Sequence, residues 1–266
     1  MEHFRSDDAE LVFEDVGNGP PVVLLHPFPV NRDFWKLIEA MLSSRYRLIV
    51  PDLRGHGDSG VGEGPATMAK HARDLQRLLD TAGAGKATFV GVSIGGYILF
   101  EFWRHARERV TALALCNTKA QADTEEAKAN RLKVAADVLE QGTEPFIEGM
   151  LGKLLGKTTI STRPDLLEGA RRMMRKMSAE DVSLVQRGMA ERPDSVGDLK
   201  TIAVPTLIVI GQEDTVATAA DGELMRQHIS GSRMKVVPKA GHYSPWEQPE
   251  AAGGLLRQFL DSVHKA

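Results

Sequence analysis

Apolar residues recur along this chain in short runs, with helical spacing between them. The runs fall at residues 11–13, 22–25, 48–50, 88–90, 113–115, 207–210 and 236–237. From 22 onward the apolar residues are successive rather than alternating. That pattern predicts strands buried on both faces, as in a mostly parallel sheet. Between them, Thr67 is placed to cap a helix whose apolar face is Ala72, Leu75, Leu78, Leu79 and Ala82. Pro249 suits a first helical turn, and Leu255, Leu256, Phe259, Leu260 and Val263 then form one face. Strands alternating with helices predict an α/β architecture.

Residues 119–200 break this rhythm and hold no strand-like run. Asp123, with Glu126 three residues on, predicts a capping box. Leu132, Ala135, Val138 and Leu139 follow as one face, and Gly142 ends the pattern. Met173, Met174 and Met177 share a face. They are read as packing onto the main domain, with an adaptable lining for an apolar substrate as the alternative. The neighbouring Arg171, Arg172, Arg175 and Lys176 read as a solvated face. The expected organisation is a core of residues 1–118 and 201–266, with an all-helical lid at 119–200 inserted into it.

Composition narrows the partners. The 266 residues are 42% hydrophobic and 26% charged, which suits one large domain with or without an inserted lid. A net charge of −3 carries no basic excess for nucleic acid or an anionic membrane. The polar, acidic stretch 1–8 lacks the apolar core of a signal peptide. No run reaches the roughly 20 apolar residues of a membrane span. A soluble, cytoplasmic protein is expected. Its single cysteine, Cys116, lies in an apolar run and is expected to be buried. No zinc-type Cys/His cluster is present, so neither a metal nor a cofactor is expected.

The chemistry concentrates at Gly91-Val92-Ser93-Ile94-Gly95. An apolar run precedes it and another, Tyr97-Ile98-Leu99-Phe100, follows, so the serine falls on a sharp strand-to-helix turn. Such a turn presents the hydroxyl to a base and aims the next backbone N–H at a developing oxyanion. Glycines at 91 and 95 relieve the crowding. A serine hydroxyl needs a base to become a nucleophile. The candidate base is His242, on a glycine-containing loop after the last strand-like run. His71, His105, His228 and His264 read as ordinary surface residues. The candidate acid is Asp214, just past the run 207–210, with Glu213 its nearest competitor. The order Ser, Asp, His is the one this kind of scaffold requires. The run 22–25 leads into His26-Pro27-Phe28-Pro29, where the prolines carry no N–H. Phe28 and Ile94 are therefore the candidate oxyanion donors. His26 reads as a structural hydrogen-bonder.

Four motifs in this order, the oxyanion loop, Asp52-Leu53-Arg54-Gly55-His56-Gly57-Asp58-Ser59, the serine turn and Gly241-His242, make the chain similar to α/β-hydrolase-fold proteins over nearly its full length. Within that family it resembles small bacterial esterases, 3-oxoadipate enol-lactonase-like lactonases and cofactor-free haloperoxidases. The resemblance implies hydrolysis of a small carboxylic ester or lactone through an acyl-enzyme on Ser93. Transfer to hydrogen peroxide, C–C bond hydrolysis and ligand binding without catalysis are the alternatives. Family members that open epoxides or displace halide use aspartate at the turn, so Ser93 argues against both. The loop 52–59 reads as structural, which makes Asp52 and Asp58 poor catalytic candidates. The chain has His26-Pro27 where most members have His-Gly, and the donor, Phe28, survives that change. Phe28 and Trp35 are the candidate substrate contacts, and Tyr97 is expected to pack under the helix after the turn.

Overall fold

The computed structural model of the chain describes residues 1–264. Eight strands form one sheet: β1 (Glu2–Ser6), β2 (Ala9–Val16), β3 (Pro21–Leu25), β4 (Arg47–Pro51), β5 (Ala87–Val92), β6 (Val110–Cys116), β7 (Thr206–Gly211) and β8 (Arg233–Val237). Their spatial order is β1-β2-β4-β3-β5-β6-β7-β8. β2 pairs antiparallel with β1 and with β4, and the remaining pairs are parallel. This is the mostly parallel sheet of the α/β-hydrolase fold.

The pleat explains the successive apolar residues, because neighbouring side chains point to opposite faces. Val23 and Leu25 of β3, Phe89 of β5, Leu113 and Leu115 of β6, and Ile208 and Ile210 of β7 enter one core. Val22, Leu24, Val90, Val92, Leu207 and Val209 enter the other. α1 (Lys36–Leu42) and α12 (Pro249–His264) close the second face, and α2 (Met68–Thr81) and α3 (Ile94–Ala106) the first. Thr67 caps α2 by accepting from the Lys70 N–H at 3.3 Å, and Pro249 opens α12.

Two local expectations, for β8 and for His71, are corrected. β8 is an edge strand rather than a doubly buried one, and Val236 is 48% exposed. The polar stretch at the amino terminus contains the other edge strand, β1, in which only Phe4 and Ser6 are buried. His71 is not a surface residue. It lies on the buried face of α2 with Met68, Ala72 and Leu75, at helical spacing that places it inside.

Between β6 and β7 the chain forms α4 (Glu125–Gln141), α5 (Glu144–Leu154), α6 (Lys157–Thr162), α7 (Pro164–Met174), α8 (Ala179–Ala190) and α9 (Val196–Leu199), with no strand among them. Thr124, not Asp123, caps α4, accepting from the Ala127 N–H at 3.2 Å. Asp123 is buried instead and pairs with Arg131 and Arg192. Ala135 and Val138 are buried, whereas Leu132 and Leu139 stay exposed, so the inward stripe of α4 is narrower than its apolar residues suggest. Met173, Met174 and Met177 are buried in the cores. Beside them, Arg171 pairs with Glu148 and Glu168, and Arg175 with Glu144. The remaining helices are α10 (Ala219–His228) and α11 (Ser244–Glu247). Among the described residues, no helix is long and apolar enough to cross a membrane.

Candidate active site

Ser93 sits between β5 and α3 with φ 55° and ψ −113°, a conformation that non-glycine residues rarely adopt. Strain of this kind persists only where the surroundings over-determine it. Here the Ser93 N–H donates to the Cys116 carbonyl at 3.0 Å, and the Ser93 carbonyl accepts from the Thr118 hydroxyl at 2.8 Å. A Cβ at position 91 would lie 2.7 Å from the Gly95 carbonyl carbon, and one at position 95 would lie 2.9 Å from the Leu25 oxygen. The turn is this tight only because both residues are glycine. Burial pushes the neighbouring Cys116 thiol up to about 12, so it stays protonated and inert.

The end of β7 and the loop after β8 bring Asp214 and His242 together. His242 Nδ1 lies 2.8 Å from Asp214 Oδ2, and both side chains are buried. The same carboxylate oxygen accepts from Asn117 Nδ2 at 2.9 Å. Its partner oxygen accepts from the Val216 and Ala217 N–H groups at 2.8 and 3.0 Å. Burial pushes the Asp214 carboxyl up, but the adjacent His242 and these donors outweigh it and hold the group below its ordinary range. An ionised Asp214 fixes the proton of His242 on Nδ1 and leaves Nε2 as an acceptor. That Nε2 is buried and has no hydrogen-bond partner, and Ser93 and His242 line the same cavity without a hydrogen bond between them. Glu213, the competing acid, points elsewhere: it accepts from the Thr158 N–H and hydroxyl at 2.9 and 2.5 Å.

Asn117 and Glu247 had no motif to mark them. Asn117 follows β6, spans to the Gly241 carbonyl at 3.1 Å as well as to Asp214, and accepts from the Ser244 hydroxyl at 2.5 Å. Glu247 accepts from the Gly241 and Tyr243 N–H groups that flank His242, at 2.9 and 3.1 Å. Its other oxygen accepts from the Gly156 N–H and the Thr159 hydroxyl at 2.8 and 2.6 Å. The His242 N–H itself donates to the Leu154 carbonyl at 2.8 Å. The histidine loop is thus tied to the junction of α5 and α6.

The Phe28 and Ile94 N–H groups are not engaged by any described acceptor. The loop carrying Phe28 is fixed from both sides. His26 Nδ1 donates to the Pro27 carbonyl at 2.9 Å and its Nε2 accepts from the Leu53 N–H at 3.0 Å, while burial pulls its pKa down to about 4. The Tyr243 hydroxyl donates to the Phe28 carbonyl at 2.9 Å. Asp52 and Asp58 both pair with Arg32, which binds the loop 52–59 to the 3-10 turn Arg32–Trp35 that precedes α1.

The cavity measures about 280 Å³, and Ser93, His242, Phe28, Tyr97, Met150 and Val216 are among its walls. One expectation changes here. Trp35 is fully buried against Phe34, outside this cavity. Tyr97 is buried in the core and also borders the cavity, with the Arg192 guanidinium 4.1 Å from its ring centroid. No three His, Cys, Asp or Glu side chains among the described residues are grouped to hold a metal ion.

Known proteins are similar to this chain in sequence and in fold. A family model described as alpha/beta hydrolase fold matches residues 20–249. The sequence is 29% identical over 255 residues to 3-oxoadipate enol-lactonase 2 of Acinetobacter baylyi, covering 94% of each chain. The thermophilic esterase of Thermogutta terrifontis, solved with malate bound, matches with TM-score 0.96 and 39% identity over 99% of this chain and 100% of its own. The enol-lactonase of Burkholderia xenovorans matches with TM-score 0.91 and 26% identity over 97% and 99%.

Proposed function

This chain belongs to the alpha/beta hydrolase fold family, and on that premise we propose that it is a serine hydrolase of small carboxylic esters or lactones. The observation that carries the reading is the buried Asp214–His242 pair, in which His242 leaves Nε2 without a partner and lines the same cavity as Ser93. His71 also leaves its ring nitrogens unpartnered, so what singles out His242 is the cavity that it shares with Ser93. Similarity to esterases and enol-lactonases supports the bond type.

In this reading His242 Nε2 takes the Ser93 proton as the oxygen attacks the carbonyl carbon. The resting separation of the two groups closes in the substrate complex, as is common at such sites. The Phe28 and Ile94 N–H groups hold the oxyanion, each contributing about 3 kcal/mol of transition-state stabilisation. The imidazolium, stabilised by Asp214, returns its proton to the departing alkoxide, and a water then releases the acid by the same steps in reverse. In a lactone the leaving oxygen stays tethered to the acyl group. The test is turnover of p-nitrophenyl esters from acetate to decanoate, with Ser93→Ala in parallel. Loss of about six orders of magnitude in kcat with an unchanged fold is expected. Activity at the parent level in Ser93→Ala would refute the reading.

A further inference from the structure

Lys119 and Lys153 both line the cavity that holds Ser93 and His242. Neither ammonium group has a hydrogen bond or ion pair with a described residue. An unpaired lysine on an open surface is ordinary, but two on the wall of a reaction cavity set its potential. Asp123 is the one carboxylate in the described lining, and it is already shared between Arg131 and Arg192. Asp214 stands behind His242 with both oxygens occupied. The cavity wall is therefore cationic, in a chain whose net charge is −3.

The positions of the two lysines are fixed by the catalytic loops. Lys119 is half-buried and follows Thr118, whose hydroxyl binds the Ser93 carbonyl. Lys153 precedes Leu154, whose carbonyl accepts the His242 N–H. Lys153 also lines an outer groove that shares Thr215 with the cavity and carries Lys157. The groove also carries Glu213 and Asp214, which balance its two lysines, so the cationic excess belongs to the cavity itself.

Resting on the serine-hydrolase reading above, we infer that the substrates are esters or lactones bearing a second, free carboxylate, which Lys119 and Lys153 hold. The carboxylate enters past Lys153 and meets Lys119 deeper in, while the ester carbonyl is presented to Ser93. A neutral substrate of the same shape leaves both cations solvated and gains nothing from them.

The test compares kcat/KM for matched esters in which the carboxylate is present or replaced by isopropyl. Monomethyl glutarate is set against methyl 5-methylhexanoate, and 4-acetoxybenzoate against 4-isopropylphenyl acetate. These place the charge on the acyl and on the leaving side. The expected result is a preference of about tenfold or more for the anionic member of at least one pair. The double variant Lys119→Met/Lys153→Met should erase that preference, and Lys119→Arg/Lys153→Arg should keep it. The preference should also shrink with added salt. Ser93-dependent turnover without an anionic preference, or a preference that survives the methionine variant, would overturn the inference and leave the hydrolase reading standing. Should none of the four esters turn over, Ser93 labelling by a fluorophosphonate decides. Protection by glutarate that disappears in the methionine variant supports the inference, and absence of protection overturns it. No labelling at all removes the hydrolase reading and the inference with it.

Discussion

Asn117 donates from Nδ2 to Asp214 Oδ2 at 2.9 Å, the same oxygen that meets His242 Nδ1 at 2.8 Å. Asn117 has φ 45°, which asparagine tolerates better than most residues. Asn117→Gly keeps that backbone accessible while removing the amide. Asp214 then loses a donor to its charged form, and its pKa rises toward the ordinary value. We expect kcat/KM for a p-nitrophenyl ester to fall about tenfold or more, with a loss of about 1–3 kcal/mol in stability because the buried Gly241 carbonyl and Ser244 hydroxyl lose their partner. A carboxyl-carbon NMR titration of Asp214 would check the pKa direction independently.

Glu247 holds the loop of His242 against the junction of α5 and α6 through four donors. Glu247→Gln keeps the shape but turns one acceptor oxygen into a donor. At least one buried N–H or hydroxyl then faces an NH₂ group. The expected cost is about 1–3 kcal/mol in urea unfolding, together with reduced kcat. Unchanged stability would mean that the loop is held by other contacts.

The same junction brings two backbones into contact. A Cβ on residue 241 would lie 2.3 Å from the Gly156 nitrogen. Gly241→Ala must therefore push α6 away from the histidine loop. We expect destabilisation of about 1–3 kcal/mol and a fall in kcat larger than the change in KM. Ester kinetics measured beside thermal unfolding would separate the two effects.

Three histidines outside the reaction give a pH dependence whose sign is determined. Burial pulls His26 down to about 4, His56 to about 3, and His71 well below its ordinary value. From pH ~6.5 down toward these values, the unfolded chain binds protons that the folded chain refuses. Stability is therefore full above about pH 6.5 and falls on acidification, by about 1.4 kcal/mol per pH unit for each ring. His71 has neither ring nitrogen hydrogen-bonded. His71→Leu should raise stability by about 1–3 kcal/mol at neutral pH, and by more at about pH 5. Urea unfolding at the two pH values measures both the gain and its direction. An equal gain at each pH would contradict the buried, neutral ring.

The sequence by itself determined the features that local pattern encodes. Successive apolar residues in β3, β5, β6 and β7 require burial on both faces, whatever lies beyond them. Gly91 and Gly95 mark the turn at Ser93, because no side chain fits where their Cβ atoms would go. Thr67 and Pro249 mark helix starts for reasons within one turn of chain. Tertiary structure decided what depends on contacts between distant segments. Asn117 meets residues 97 and 124 positions away, and nothing near it in sequence announces either contact. Trp35 lies in the core rather than on the cavity, and Tyr97 serves both, because an aromatic residue packs equally well in a core or on a cavity wall. Only the fold brings Arg192, 95 positions away, onto the Tyr97 ring. Lys119 and Lys153 stand 34 positions apart with no motif around either, and only the fold places both on one cavity. Periodicity fixes which side of an element faces inward. What that side meets is set by the packing of elements far apart in the chain.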